Sequence, residues 1–142
     1  MRPIGSGWCA VAVALSLVAA GCSRPRLDRP ETHPVRGRLF VGDKPAAGAR
    51  VQLNAVDEPK LAGLYPHAIV ESDGSFQLTT YRTHDGAPAG TYALTVKWPF
   101  PPSPKREEGP DRFQGRYSNP QKPAAQVQVS AGENDLGAIR LN

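Results

Sequence analysis

Between residues 35 and 142 apolar and polar side chains alternate with a period of two, and Gly, Pro, Asp or Asn breaks the alternation about every ten positions. Val35, Gly37, Leu39 and Val41 fall on one side of a strand, with Arg36 and Arg38 opposite, before Gly42-Asp43-Lys44-Pro45 turns the chain. Ala49, Val51, Leu53 and Ala55 alternate with Arg50, Gln52 and Asn54, the pattern of a half-buried strand. A short strand is expected over residues 67–71. Asp73-Gly74 then signals a tight hairpin turn, because glycine accepts the positive φ such a turn requires, and Phe76 and Leu78 resume the inward pattern. The strongest strand is residues 91–98, with Tyr92, Leu94, Val96 and Trp98 on one face, and Trp98 is expected in the core. Ala125, Val127 and Val129 form another, and a turn at residues 131–134 leads to a last strand around Ile139 and Leu141. Long helices are disfavoured by 14 Gly and 15 Pro in 142 residues. About seven one-faced strands predict an all-β, antiparallel Greek-key sandwich.

Ahead of this domain, residues 8–20 are apolar or small and carry no charge. That stretch is shorter than the roughly 20 residues a membrane-crossing helix needs, and it reads as a secretory signal. Leu17-Val18-Ala19-Ala20-Gly21-Cys22 resembles the bacterial lipobox, with Ala19 where the pattern usually has Leu. The resemblance implies removal of residues 1–21 and a diacylglyceryl thioether on Cys22, whose thiol is the nucleophile that is alkylated. Cys9 leaves with the signal, so the mature domain has no disulfide and must hold itself by its core. Two or three acyl chains, at about 0.8 kcal/mol per buried methylene, make such an anchor effectively permanent. The expected location is outside the cytoplasm, lipid-anchored to a cell or outer membrane.

Net charge is +4 for the whole chain. Five arginines (Arg24, Arg26, Arg29, Arg36 and Arg38) precede the body of the domain, which beyond Arg38 carries 11 basic and 11 acidic residues. The pI of about 9.3 therefore belongs to the leading segment, and nucleic-acid binding loses its electrostatic argument. Residues 22–34, with Pro25, Pro30 and Pro34, read as a stiff extended tether reaching at most about 40 Å, its arginines facing anionic headgroups.

The run from Gly42 to Val51, then Glu71-Ser72-Asp73-Gly74-Ser75-Phe76-Gln77-Leu78, then Pro88-Ala89-Gly90-Thr91-Tyr92-Ala93-Leu94-Thr95-Val96 resembles the carboxypeptidase-regulatory-like domain. That family implies a transthyretin-like (prealbumin-like) sandwich. With the lipobox, the chain is similar to small envelope lipoproteins of planctomycete-type bacteria. Such folds host many roles, so the resemblance implies an address and a scaffold and leaves activity open.

Motifs for chemistry are sparse. His33, His67 and His84 show no metal-ligand spacing, and Glu71, Asp73 and Gly74 lack the remaining oxygen ligands of a calcium loop. No Gly-x-Ser-x-Gly elbow or phosphate loop stands within the domain. Transthyretin-like hydroxyisourate hydrolases end in Tyr-Arg-Gly-Ser, whereas this chain ends Ile139-Arg140-Leu141-Asn142. Tyr92, at the start of its strand, is expected to make a corner hydrogen bond. No cofactor and no catalysis are expected.

Residues 99–123 hold seven prolines, the cluster Lys105-Arg106-Glu107-Glu108, and the aromatics Phe113 and Tyr117. Either these aromatics clip the loop back onto the sandwich, or with Tyr81, His84 and Asp85 they line a surface site for sugar or peptide. The expected function is a non-catalytic envelope module, structural or protein-binding, with a periplasmic carbohydrate- or peptide-binding lipoprotein as the alternative. Its expected partners are the membrane and an envelope protein or glycan.

Overall fold

In the computed structural model, which describes Gly5, Gly21 and residues 28–142, the domain is built almost wholly of strands. Apart from Gly21 the lipobox, with Cys22, Arg24 and Arg26, lies outside the described residues. In chain order the strands are β1 (Thr32–His33), β2 (Val35–Val41), β3 (Lys44–Pro45), β4 (Arg50–Ala55), β5 (His67–Ile69), β6 (Ser75–Gln77), β7 (Ala87–Pro88), β8 (Gly90–Lys97), β9 (Ala125–Val129) and β10 (Asn134–Leu141). The only helical piece among the described residues is a 3-10 turn at Pro59–Leu61, and no helix there is long and apolar enough to cross a membrane.

One four-stranded sheet has the order β5-β4-β8-β9; the other places β2 between β10 on one side and the short β3 and β6 on the other. The seven strands expected from alternation correspond to β2, β4, β5, β6, β8, β9 and β10. The inward series meet between the sheets: Leu39, Phe76 and Leu78 face Val51, Leu53, Tyr92, Leu94 and Val96, and each of these is at most 1% exposed. Burial of one such side chain stabilises by roughly 1.5–3 kcal/mol, so the core alone can hold a domain without cross-links.

Three features differ from the sequence expectation. First, the sandwich is not wholly antiparallel, because β10 runs parallel to β2 over Asn134↔Val35 to Leu141↔Val41. After β9 the chain turns and crosses to the other sheet, so it travels in the direction of β2 there. A register shift between Asp135 and Ala138 interrupts this pairing, and the Asp135 carboxylate accepts the Gly137 amide at 2.9 Å. Second, the turn at Asp73-Gly74 does not make a hairpin within one sheet. The hairpin itself is present, since the Gly74 amide donates to the Glu71 carbonyl, the Glu71 amide to the Ser75 carbonyl, and His67 and Thr79 exchange a pair of bonds, but its arms splay apart so that β5 pairs with β4 while β6 pairs with β2.

Third, the tether ends earlier than expected. Thr32 and His33 pair with Pro88 and Ala87, making a two-stranded sheet. Asn134 donates through its amide and its side chain to the Pro34 carbonyl, at 2.9 and 3.3 Å. A Cβ at Gly86 would run into the His33 carbonyl, so glycine there is what lets the strap lie down. Arg36 and Arg38 project from the outer face of β2, where the alternation placed them, and Arg36 stands 3.6 Å from Asp135.

Loops 56–66 and 80–86, the turn at 130–133 and the β1–β7 strap gather at one end of the sandwich, where β2, β8 and β10 begin. The turns at 42–43 and 71–74 and the start of the loop after β8 gather at the other.

Gly37 lies opposite Phe76 in the β2–β6 register, and a Cβ added there would sit 2.6 Å from the ring's Cζ. Gly37→Val should therefore lower unfolding free energy by about 1–3 kcal/mol through overpacking, read as a fall in the urea midpoint at unchanged slope.

Candidate functional site

The loop after β6 is organised by one carboxylate. Asp85 accepts the amides of Thr80, Tyr81 and Arg82 at 2.7, 2.9 and 2.9 Å. The Thr80 hydroxyl donates to the Gly86 carbonyl at 2.6 Å, and the His84 amide donates to the Thr79 hydroxyl at 2.9 Å. His84 is thereby held with φ of 59°, a left-handed conformation that costs a non-glycine residue roughly 1–2 kcal/mol. Burial raises the Asp85 pKa, and the amides of Thr80, Arg82 and Tyr81 outweigh it, so the carboxyl titrates below the usual range. Tyr81 lies under the Arg29 guanidinium, 5.4 Å from ring centroid to Cζ, and its buried hydroxyl meets no partner among the described residues.

Tyr92 stands beside this loop and donates its hydroxyl to the Pro88 carbonyl at 2.7 Å, the corner bond expected from its position. Burial first, and then the charges of Tyr81 and Glu58, push its pKa up to about 12.

The Pro-rich loop begins as a small finger. Pro99 bridges to Asp111, the Phe100 amide donates to the Pro110 carbonyl at 3.0 Å, and Ser103 and Arg106 exchange a pair of bonds near the tip. A salt bridge of 2.9 Å from Arg50 to Glu108 ties the finger to β4. At its base Asp111 repeats the device of Asp85, accepting the amides of Trp98, Phe113 and Gly115 at 2.9, 3.1 and 3.0 Å. Here too burial raises the pKa and the three amides more than reverse it.

Arg112 is stacked between two rings, its guanidinium carbon 4.4 Å from the Trp98 centroid and 4.8 Å from that of Phe100. Phe113 packs 5.9 Å from Trp98 and meets Tyr117 edge-on at 5.0 Å. Trp98 is half-buried rather than fully internal, with its indole N–H donating to the Ala47 carbonyl at 2.8 Å. Tyr117 closes the series: its carbonyl accepts the Val96 amide at 2.9 Å and its hydroxyl donates to the Asn142 carbonyl at 3.2 Å.

The five residues considered as one surface site are not brought together. Tyr81, His84 and Asp85 stand at the end where β8 begins, and Phe113 and Tyr117 at the end where it finishes, about 25 Å apart for an eight-residue strand. Phe113 and Tyr117 lie half-buried against the core, the clipping arrangement rather than an open aromatic face. His84 instead borders a shallow polar cleft with Arg36, Gln77, Glu133 and Asn134. His33 and His67 are drawn to different partners, the Gly132 amide and the Tyr65 carbonyl. No three His, Cys, Asp or Glu side chains among the described residues are grouped to hold a metal.

Sequence reasoning missed Asp111 and Arg112. Asp111 with Phe113 two residues on is a visible Asx-turn signal, but its bond to the Trp98 amide spans 13 residues and leaves no local trace.

Comparison with protein-family models and with curated proteins gives no match. Among solved structures, a DUF3823 family protein from Parabacteroides merdae matches with a TM-score of 0.44 and 16% identity, covering 79% of this chain and 47% of that one. A 9R-lipoxygenase from Cyanothece PCC8801 matches with a TM-score of 0.40 and 14% identity, over 84% of this chain and 18% of that one. This chain thus spans about half the length of the first and under a fifth of the second. At these scores neither likeness carries an argument about fold or function.

Asp111→Ala should free three amides, lower stability by about 1–3 kcal/mol and expose the Lys105-Arg106 tip to trypsin. Phe113→Ala should cost about as much, since the ring is only half-buried. In an acid titration, the contribution of Asp85 and Asp111 is fully present above the unfolded carboxyl value of about 3.9 and is lost as pH falls through their lower folded values. Asp85→Asn combined with Asp111→Asn should flatten that acid limb in a series of denaturant melts.

Proposed function

We propose that this chain is a non-catalytic, lipid-anchored module of the cell envelope, with a sandwich of the carboxypeptidase-regulatory-like type. The observation that carries the non-catalytic part is the use made of its best-placed carboxylates. Asp85 and Asp111 each accept three backbone amides, and both are held ionised by them, which leaves neither suited to passing a proton near neutral pH. Tyr92 is likewise engaged and titrates far above neutrality. Support for the anchor is the charge-free run of residues 8–20 followed by small residues and Cys22.

A second reading, capture of a glycan or peptide, has one observation in its favour. Phe100 is 49% exposed at the base of the finger, braced from behind by Arg112 and Trp98. A braced, exposed ring offers a flat apolar face at low entropy cost.

The anchor is tested by intact mass and membrane partition. Expressed in a bacterium that processes lipoproteins, the wild-type protein should begin at Cys22, carry acyl mass on it and sediment with membranes, and Cys22→Ala should carry no acyl mass and keep residues 1–21. An unmodified wild-type mass would refute the reading.

A further inference from the structure

We propose that the sandwich stands end-on at the bilayer, with the end formed by β1, loop 80–86 and loop 56–66 facing the lipid surface and the 99–111 finger pointing away from it. The inference rests on the lipid anchor at Cys22 and adds an orientation that the anchor alone does not give. A tether running free to residue 34 would let the domain tumble about its attachment. The strap cuts that freedom down: β1 is paired to β7, the Pro34 carbonyl is held by Asn134, the Gly132 amide donates to the His33 ring at 3.4 Å, and Arg29 lies over Tyr81.

From Cys22 to the first of these contacts, at Arg29, seven residues of chain span at most about 25 Å, and to β1 about 35 Å. The strap leaves the body at the end where β2, β8 and β10 start, so that end must be the one near the headgroups. The opposite end lies a further strand length out, roughly 25 Å.

Charge does not supply this orientation. Among the described residues of the near end, the exposed carboxylates of Asp28, Glu31, Asp57, Glu58 and Glu133 outnumber the cations Arg29, Arg36, Lys60 and Arg82. An anionic surface would not draw it in, so the short strap must hold it there.

The mature chain has no thiol other than Cys22, so a single introduced cysteine can be labelled uniquely. Thr83→Cys marks the near end and Lys105→Cys the finger tip, both at exposed positions. Each lipidated protein is labelled with a donor dye and placed in phosphatidylcholine vesicles carrying an acceptor-labelled headgroup. Energy transfer should be severalfold greater from position 83 than from position 105. Inserting about twenty Gly/Ser residues after Ser23, ahead of residues 28–142, should bring the two transfers together. Vesicle flotation with equal transfer from both sites in the unextended protein overturns the orientation alone. A difference that survives the insertion overturns the strap as its cause. Failure to float with an unmodified Cys22 overturns the anchor and the orientation with it.

Discussion

The dry contact between the two sheets is the interaction on which the rest depends. Tyr92, Phe76, Leu39, Leu53 and Leu94 are all but inaccessible to water, and they come from both sheets. Such an interior is intolerant of volume change, and Gly37 illustrates why: the Phe76 ring occupies the space a side chain would need. The positions of β4 and β8 fix where each loop leaves the sandwich, and so decide which polar groups can meet. That geometry, rather than the chemistry of any residue, separates Tyr81 and His84 from Phe113 and Tyr117.

The loops are fastened by a recurring solution. A carboxylate at the base of each loop gathers three amides that no strand partner would satisfy, Asp85 at one end of the sandwich and Asp111 at the other. Unpaired buried amides are costly, and an ionised oxygen satisfies several at once. Asp73 does the same on a smaller scale, taking the Ser75 hydroxyl and amide, which lower its pKa.

Much of this was legible in the residue order. The alternation of β2, β4 and β8 is long enough to announce a face, and Val35, Leu39, Val51, Leu53, Tyr92, Leu94 and Val96 on that face are buried, while Val41, Ala55 and Trp98 are half-buried and Ala93 and Thr95 are buried on the opposite face of β8. What stayed hidden has a common cause. β1, β3 and β7 are two residues long, too short to show any period, and they exist only because a partner lies beside them. The parallel course of β10 is equally non-local, since direction within a sheet is decided by which sheet a strand joins. The candidate surface set failed for the same reason: nearness in sequence to β8 does not say at which of its ends a side chain stands. The corner bond of Tyr92 was readable because its partner is four residues away.

The irregular outer strand β10 has a further consequence. Its pairing slips between Asp135 and Ala138, and a carboxylate already occupies the Gly137 amide. A neighbouring molecule seeking to dock its backbone there would find neither a straight template nor a full row of free donors. That blemish leaves the outer edge of the sheet guarded against zippering into fibres.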